Sequence, residues 1–120
     1  MGNPLRVVHY VNQFFGGVGG EEAANVGVSL VHGAVGAGRA LQQAMGEDGT
    51  VLGTLLCGDN TANERRDETM AAIETHLRAL RPDVVLAGPA FGSGRYGLAC
   101  VEVCKVAQAM GLPAVTGMHL

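Results

Sequence analysis

The glycine-rich segment Gly88–Gly97 constrains the fold of this chain more than any other stretch. It reads G-P-A-F-G-S-G-R-Y-G, follows the apolar run Val84–Ala87 and precedes a helix-like run, Leu98–Met110. A strand, a glycine-rich turn and a helix in succession present backbone N–H groups to an anion. Arg95 adds a permanent cation with forked donors. The segment therefore predicts an anion-binding turn. The alternative is a strand-to-helix connection with an exposed arginine, since the full dinucleotide-binding spacing is absent.

Composition narrows the classes of protein that this sequence fits. The 120 residues allow one domain at most, and 48% hydrophobic residues are enough for a core. A net charge of −3 argues against a nucleic-acid face and gives no reason to expect a membrane surface as partner. Three cysteines without disulfide-scaffold density, and an N-terminus without signal-peptide character, favour a cytoplasmic protein. The low charged fraction of 16% suggests that a partner chain, or another copy of this chain in a homo-oligomer, covers part of the surface.

Apolar runs and helical periodicity alternate along the chain. Helices are predicted over Arg39–Met45, Asn63–Leu80 and Leu98–Met110, whereas residues 23–38 are expected to be irregular. Strands are predicted at Leu5–Val11, Thr50–Cys57, Asp83–Ala87 and Ala114–Thr116. This alternation predicts a single α/β domain over residues 1–120. It would have three layers, with a parallel sheet of about four strands and helices on both faces, as in half of a Rossmann or flavodoxin-like fold.

Unusual loops follow each predicted strand: Asn12–Gly20, Gly58–Thr61, Gly88–Gly97 and Gly117–His119. The carboxyl ends of parallel strands share one edge, where ligands bind. We therefore expect one site for a small anionic or zwitterionic ligand, or for a docked partner loop. The candidate ligand-binding residues are Asn12, Phe14, Phe15, Gly16, Gly17, Asp59, Asn60, Phe91, Gly94, Arg95 and Tyr96. No metal site is predicted.

Two of these loops leave alternatives open. The segment after the first strand is a flexible linker or an ordered loop. Phe14 and Phe15 favour the ordered loop, with the aromatic rings packed or lining a pocket. Glu21 and Glu22, which follow, are interpreted as the solvated start of a helix. After the second strand, Asp59, Asn60 and Thr61 are N-cap residue types, and Asp59 or Asn60 is alternatively a ligand contact.

The cysteine spacing favours a structural role. Cys100 and Cys104 lie four residues apart and so share one apolar helix face, where buried thiols act as small hydrophobic groups. A redox or metal role would require a C-x-x-C motif or further ligands nearby. A stand-alone thiol enzyme that uses Cys57 at a strand end is a weaker hypothesis.

Several segments together resemble one family. V-H-Y-V-N-Q-F-F-G-G-V-G-G-E-E at residues 8–22, L-L-C-G-D-N at 55–60, the stretch at 87–105 and P-A-V-T-G-M at 113–118 are similar to the selenoprotein B component of glycine/sarcosine/betaine reductase. D-Proline reductase has a related component. The resemblance implies a substrate-activating subunit of an anaerobic reductase that cleaves a C–N bond next to a carboxylate. A cysteine or selenocysteine would attack the α-carbon. A carbonyl group on a partner would hold the amine, and a thioredoxin-like route would supply electrons.

Departures from the family refine this expectation. The family chain is several times longer, and its selenocysteine region lies beyond the stretch present here. The turn also differs at Gly92 and Ser93. We expect a small subunit or N-terminal module without a cofactor of its own, whose larger partner supplies the nucleophile. Arg95 and nearby amides would hold a substrate carboxylate, Asn12 and Asn60 would orient it, and the two phenylalanines would exclude water. The alternative is a non-catalytic assembly subunit.

Overall fold

Five strands form one sheet in the computed structural model, which describes residues 3–91 and 94–119 except for the side chains of Phe91, Met118 and His119. The strands are β1 (Leu5–Asn12), β2 (Ser29–His32), β3 (Gly49–Cys57), β4 (Val84–Phe91) and β5 (Ala114–His119). Their order is β2-β3-β1-β4-β5, with β2 antiparallel and the others parallel. The predicted α/β class is confirmed, and the expected count of four strands is corrected to five.

Helices cover both faces of this sheet, as predicted. The helices are α1 (Ala37–Met45), α2 (Asp59–Glu64), α3 (Arg66–Leu80) and α4 (Arg95–Ala109), with single 3₁₀ turns at Glu21–Ala23 and Gly46–Asp48. On one face α3 and α4 pack over the main core. On the other face α1 approaches β1 so closely that a Cβ added to Gly38 would lie 2.8 Å from His9 Nδ1.

The main core lies between the sheet and α3–α4. The apolar stripe predicted for α3 is confirmed, because Met70, Ile73 and Leu77 are buried. Apart from Tyr96, the buried residues of α4 are small, which lets that helix lie close to β4. The α4 and sheet residues of this core include Ala99, Cys100, Val103, Ala107, Val8, Tyr10, Leu55, Val85 and Ala87.

The expectation of irregular structure over residues 23–38 was wrong in two places. Ser29–His32 forms β2, which pairs with β3 from Ser29↔Leu56 to His32↔Gly53. Gly33, with φ of 82°, then turns the chain and donates its N–H to Leu52 O at 3.1 Å. Helix α1 also begins at Ala37, two residues before its predicted start. The strand is only four residues long and mostly exposed, so its position depends on pairing with β3 more than on local periodicity.

Element boundaries near the predicted site also differ. The helix predicted from Asn63 begins at Asp59 and is interrupted at Arg65, where φ is −118° and ψ is 46°. Gly58 occupies the N-cap position, so the N-cap interpretation of the three residues that follow it was wrong. Strand β4 continues through Gly88 to Phe91, and α4 begins at Arg95, three residues earlier than predicted. Strand β5 reaches His119, where a loop was expected. None of the described helices is long and apolar enough to cross a membrane.

His9 is enclosed between β1, β4 and α1. Its side chain is fully buried, and its Nε2 contacts Gly88 O at 2.5 Å. Because a carbonyl can only accept, Nε2 carries the proton in this contact. Within the described residues Nδ1 has no hydrogen-bond partner. Burial lowers the pKa of His9, although the bond to Gly88 opposes that shift.

His9 should therefore make the fold sensitive to acid. A pKa that is lower in the folded chain than in the unfolded chain favours folding above the unfolded value of about 6.5, and that stability is lost as the pH falls below it. In this range His9 contributes up to about 1.4 kcal/mol per pH unit to the slope of the free energy of unfolding against pH. We expect His9→Gln to lose this contribution, so that its slope is shallower than that of the wild type. Urea denaturation at several pH values measures this, and equal slopes for His9→Gln and wild type would contradict it. His76→Gln, at a partly exposed position of α3, is the matched control for the exchange of histidine for glutamine.

Candidate functional site

The candidate site lies at the carboxyl edge of the sheet, between the loops that follow β1 and β4. These strands are neighbours, with Tyr10 paired to Ala87. The connection after β1 leads through β2 to α1 on one face of the sheet, and the connection after β4 leads to α4 on the other face. In α/β sheets, a ligand-binding crevice is expected where successive connections change faces in this way. The loop after β3 borders the same region, since Asn12 is paired with Cys57.

Asn12 organises the floor of this crevice. Its Nδ2 donates to Asp59 Oδ2 at 3.0 Å, and its Oδ1 accepts the backbone N–H of Phe15 at 2.9 Å. Gln13 joins the same two parts of the chain. Its Oε1 accepts the backbone N–H of Asp59 at 3.0 Å, and its Nε2 donates to Gly20 O. Two consecutive buried amides thus tie the loop after β1 to the start of α2.

Asp59 is a buried carboxyl group. Only 6% of the residue is exposed, and its Oδ1 has no hydrogen-bond partner within the described part of the chain. Burial raises the pKa of Asp59, while the bond from Asn12 and the nearby Arg95 charge oppose the rise. A buried carboxylate oxygen without a donor is costly. This oxygen is therefore suited to accept a hydrogen bond from a bound molecule.

Arg95, at the first turn of α4, is the principal cation of the site. Its Nη1 contacts Asn60 Oδ1, and its Nη2 lies 2.6 and 2.8 Å from the two carboxylate oxygens of Glu21. Its backbone carbonyl accepts from Asn63 Nδ2 at 3.1 Å. The contact with Glu21 is the largest factor that raises the pKa of Arg95. The loops after β1 and β3 thus both reach the start of α4.

Aromatic rings form one wall of the crevice. Phe15 stacks on Tyr96 with ring centres 5.5 Å apart, and Phe14 meets Phe15 edge-on at 5.2 Å. Tyr96 is buried, whereas Phe15 is 40% exposed and Phe14 is 62% exposed. Phe15 is therefore packed on one side, and Phe14 projects largely into solvent. Burial also raises the pKa of Tyr96, which keeps its hydroxyl protonated at neutral pH.

Glycines allow this loop to fold tightly over β3. A Cβ added to Gly16 would lie 1.8 Å from Leu56 Cδ2, so a larger residue would displace that side chain. Gly17 has a φ of 79°, a conformation that other residues rarely adopt. The loop is therefore ordered, as the sequence predicted, with Val18 N bonded to Gln13 O at 2.9 Å.

Most of the predicted site residues converge on this edge. Asn12, Phe15, Asp59, Asn60, Arg95 and Tyr96 are linked by the contacts above; Phe14, Gly16 and Gly17 lie in the same loop, and Gly94 precedes α4. The side chain of Phe91, together with Gly92 and Ser93, lies outside the described residues. Sequence reasoning missed Gln13, Glu21 and Asn63. The position of Gln13 beside Asn12 was the one available signal, because the partners of Glu21 and Asn63 are distant in sequence.

Comparison with known proteins identifies the family. Residues 4–120 match the family model described as glycine/sarcosine/betaine reductase selenoprotein B. The chain belongs to this selenoprotein B family. It is 49% identical over 117 residues to the glycine reductase complex component B subunit gamma of Symbiobacterium thermophilum, a match that covers 97% of this chain and 27% of the relative. No solved structure gave a significant match.

Two further relatives of this chain are named for sarcosine reductase and betaine reductase. The sarcosine reductase complex component B subunit beta of Peptoclostridium acidaminophilum is 46% identical over 97% of this chain and 27% of the relative. The betaine reductase complex component B subunit beta of the same organism is 42% identical over 96% of this chain and 26% of the relative. The chain thus spans about a quarter of the length of these curated relatives.

The thiols of this family member are poorly suited to nucleophilic attack. Cys57, Cys100 and Cys104 are all buried and unpaired by disulfides. Burial raises the pKa of Cys57 to about 11 and that of Cys100 to about 12, and it also raises the pKa of Cys104. Because the thiolate is the reactive form, these groups are almost entirely unreactive thiols at neutral pH. This counts against the hypothesis of a stand-alone thiol enzyme that uses Cys57.

Among residues 3–91 and 94–119, no three His, Cys, Asp or Glu side chains are grouped so as to hold a metal ion.

The buried bonds of Asn12 should support the geometry of the site. Asn12→Ala removes the donor to Asp59 and the acceptor of the Phe15 N–H. We therefore expect it to lower the free energy of unfolding by about 1–3 kcal/mol. Asn25→Ala, at an exposed position in the nearby loop, is the matched control and should change it by less than about 0.5 kcal/mol. Urea denaturation compares the two variants, and equal midpoints for Asn12→Ala and wild type would show that these bonds do not stabilise the loop.

Proposed function

We propose that this chain is a subunit or N-terminal module of a reductase complex related to the glycine, sarcosine and betaine reductases. It would bind a small amino-acid-like carboxylate for reductive cleavage of the C–N bond. The observation that supports the proposal is the position of Arg95 in the first turn of α4, at the carboxyl edge of the sheet. The chain would act as part of a larger assembly in the cytoplasm.

The placement of Arg95 favours recognition of an anion. A cation in the first turn of a helix is unfavourable, because that end carries partial positive charge. A carboxylate from the ligand would instead interact favourably with the guanidinium and with the first-turn N–H groups, which have no partner inside the helix. A forked guanidinium also matches a carboxylate geometrically.

Neighbouring groups would complete the binding of the ligand. Asn60 positions the guanidinium, and Asn12 holds Asp59 at the floor of the crevice. The orphan Oδ1 of Asp59 is suited to the amino end of the ligand. Phe15 and Phe14 would shield the site from water once a partner covers them.

The reacting groups would come from outside this stretch of chain. The buried thiols with raised pKa values support a nucleophilic cysteine or selenocysteine on another chain. A larger catalytic subunit would supply that residue and, in systems that use one, a carbonyl group for the amine. A thioredoxin-like protein would deliver the electrons. The described residues contribute recognition, because they combine a cation, amides and a carboxyl group without an accessible thiol.

Removal of the guanidinium should weaken ligand binding. We expect Arg95→Ala to lower the affinity for the carboxylate ligand about tenfold to a hundredfold, because charge-assisted hydrogen bonds contribute about 1.5–3 kcal/mol. Isothermal titration with glycine, sarcosine and betaine measures this, with the chain purified together with the subunit encoded beside it. Arg95→Lys should bind with intermediate affinity, since it keeps the charge but loses the fork.

Arg78→Ala is the matched control for this experiment. Arg78 is exposed on α3 and pairs with Glu74, away from the crevice. It should bind the ligand as the wild type does. Unchanged affinity in Arg95→Ala would overturn the assignment of Arg95 as the carboxylate-binding residue.

A second candidate function is assembly without ligand binding. Phe14 and Val18 are more than half exposed, at 62% and 51%, and they lie beside Phe15 in one ordered loop. Exposed aromatic residues are enriched at the centres of protein interfaces. This apolar loop is therefore suited to contact with a partner subunit, and the contact is compatible with either function.

Disruption of the apolar loop should weaken the complex. We expect Phe14→Ser to reduce the affinity for the partner subunit about thirtyfold, since aromatic anchors at interfaces contribute about 2 kcal/mol or more. Co-elution in size-exclusion chromatography measures this. Leu5→Ser is the matched control, because Leu5 is also exposed but begins β1 at the opposite edge of the sheet. Equal co-elution of Phe14→Ser and wild type would exclude this loop as the docking surface.

A further inference from the structure

The guanidinium of Arg95 is already occupied by a carboxylate of the same chain. Glu21 places both carboxylate oxygens within 2.8 Å of Arg95 Nη2. A carboxylate ligand that binds Arg95 would compete for this group. The ion pair is accessible, with the Glu21 side chain 72% exposed and that of Arg95 40% exposed. Exposed ion pairs are weak, contributing about 0.2–1 kcal/mol, so an arriving ligand can displace Glu21.

Displacement of Glu21 requires little change in the backbone. Glu21 lies in a single 3₁₀ turn that Ala23 N → Gly20 O and Ala24 N → Glu21 O hold in place. No other side-chain hydrogen bond to the Glu21 carboxylate is formed by the described residues. Rotation of this side chain would therefore free Arg95 while the turn stays intact.

The local charge balance is acidic. Glu21, Asp59 and Glu64 all lie close enough to raise the pKa of the single guanidinium of Arg95. A ligand that brings only a negative charge is repelled by these three carboxyl groups. It also separates Glu21 from Arg95, which leaves the Glu21 charge without its partner. A zwitterion brings no net charge, and its cationic nitrogen can interact with the released Glu21 and with Asp59.

We propose that Glu21 is a specificity-determining residue, a displaceable counter-ion through which the site favours zwitterionic ligands over simple carboxylates. The inference rests on the proposed binding of a carboxylate at Arg95 and adds a role for a residue outside that contact. Glu21 leaves Arg95 when the ligand binds, and the freed carboxylate then interacts with the cationic nitrogen. Without Glu21, the site distinguishes less between a ligand that carries this nitrogen and one that lacks it.

The test compares two probes that differ only in the amino group, glycine and acetate. Their dissociation constants are measured by isothermal titration at low ionic strength, on the chain purified with its neighbouring subunit. We expect Glu21→Gln to shift the ratio of acetate to glycine affinity about fivefold toward acetate, as the loss of one exposed ionic interaction predicts. Glu21→Ser, which removes the carboxyl group altogether, should shift the ratio in the same direction.

Glu22→Gln is the matched control. It makes the same change in charge one residue away, and its remaining carbonyl oxygen can still accept the Gly20 N–H as Glu22 does at 2.8 Å. It should leave the ratio as in the wild type. The inference is overturned if Glu21→Gln and Glu21→Ser leave the ratio unchanged, or if Glu22→Gln shifts it equally.

Two further outcomes separate this inference from the proposed function. If binding depends on Arg95 but the ratio is insensitive to Glu21, the proposed function stands and the role of Glu21 falls. If neither probe binds the wild type nor any variant, carboxylate recognition at Arg95 fails, and the inference fails with it.

Discussion

The position of β1 between β3 and β4 is the constraint on which the rest of the structure depends. Leu5–Asn12 pairs in parallel with both neighbours, so the carboxyl ends of three strands are fixed at one edge. The loops that follow them bring together residues that are far apart in sequence, such as Phe15 and Tyr96 or Glu21 and Arg95, the latter separated by 74 positions. Main-chain pairing brings these side chains together, and no local motif could do so. The site is in this sense a product of topology.

Buried amides then convert this proximity into defined geometry. Asn12 and Gln13 each form hydrogen bonds both to the loop after β1 and to Asp59. Each amide uses its donor for one of these bonds and its acceptor for the other. A buried polar network of this kind is favourable only when its groups are satisfied. Asp59 Oδ1 is an unsatisfied member of this network among the described residues. The free energy lost by leaving it unpartnered is consistent with a site that gains a partner on ligand binding.

Much of this arrangement could be predicted from the sequence. Alternating apolar runs and helical periodicity gave the α/β class, and parallel strands required Asn12, Asp59 and Arg95 to share an edge. The extra strand at Ser29–His32 could not be predicted, because a short, mostly exposed edge strand is defined by its hydrogen bonds to the neighbouring strand. The pairing of Glu21 with Arg95 was hidden for a related reason. An acidic residue at the start of a helical turn already has a sufficient local explanation.

The proposed separation of ligand recognition from reactivity rests on where the sequence places its charges and its thiols. Arg95 and Glu21 lie at an accessible rim, where an exposed ion pair is weak enough to exchange. Cys57 and Cys100 lie beneath the rim in an apolar environment that holds them as thiols. To make either cysteine nucleophilic would require a nearby cation or solvent within the core, which would destabilise the packing of α4 on the sheet. A nucleophile supplied from outside avoids this conflict, because it can approach the rim where the ligand would bind and leave the core intact.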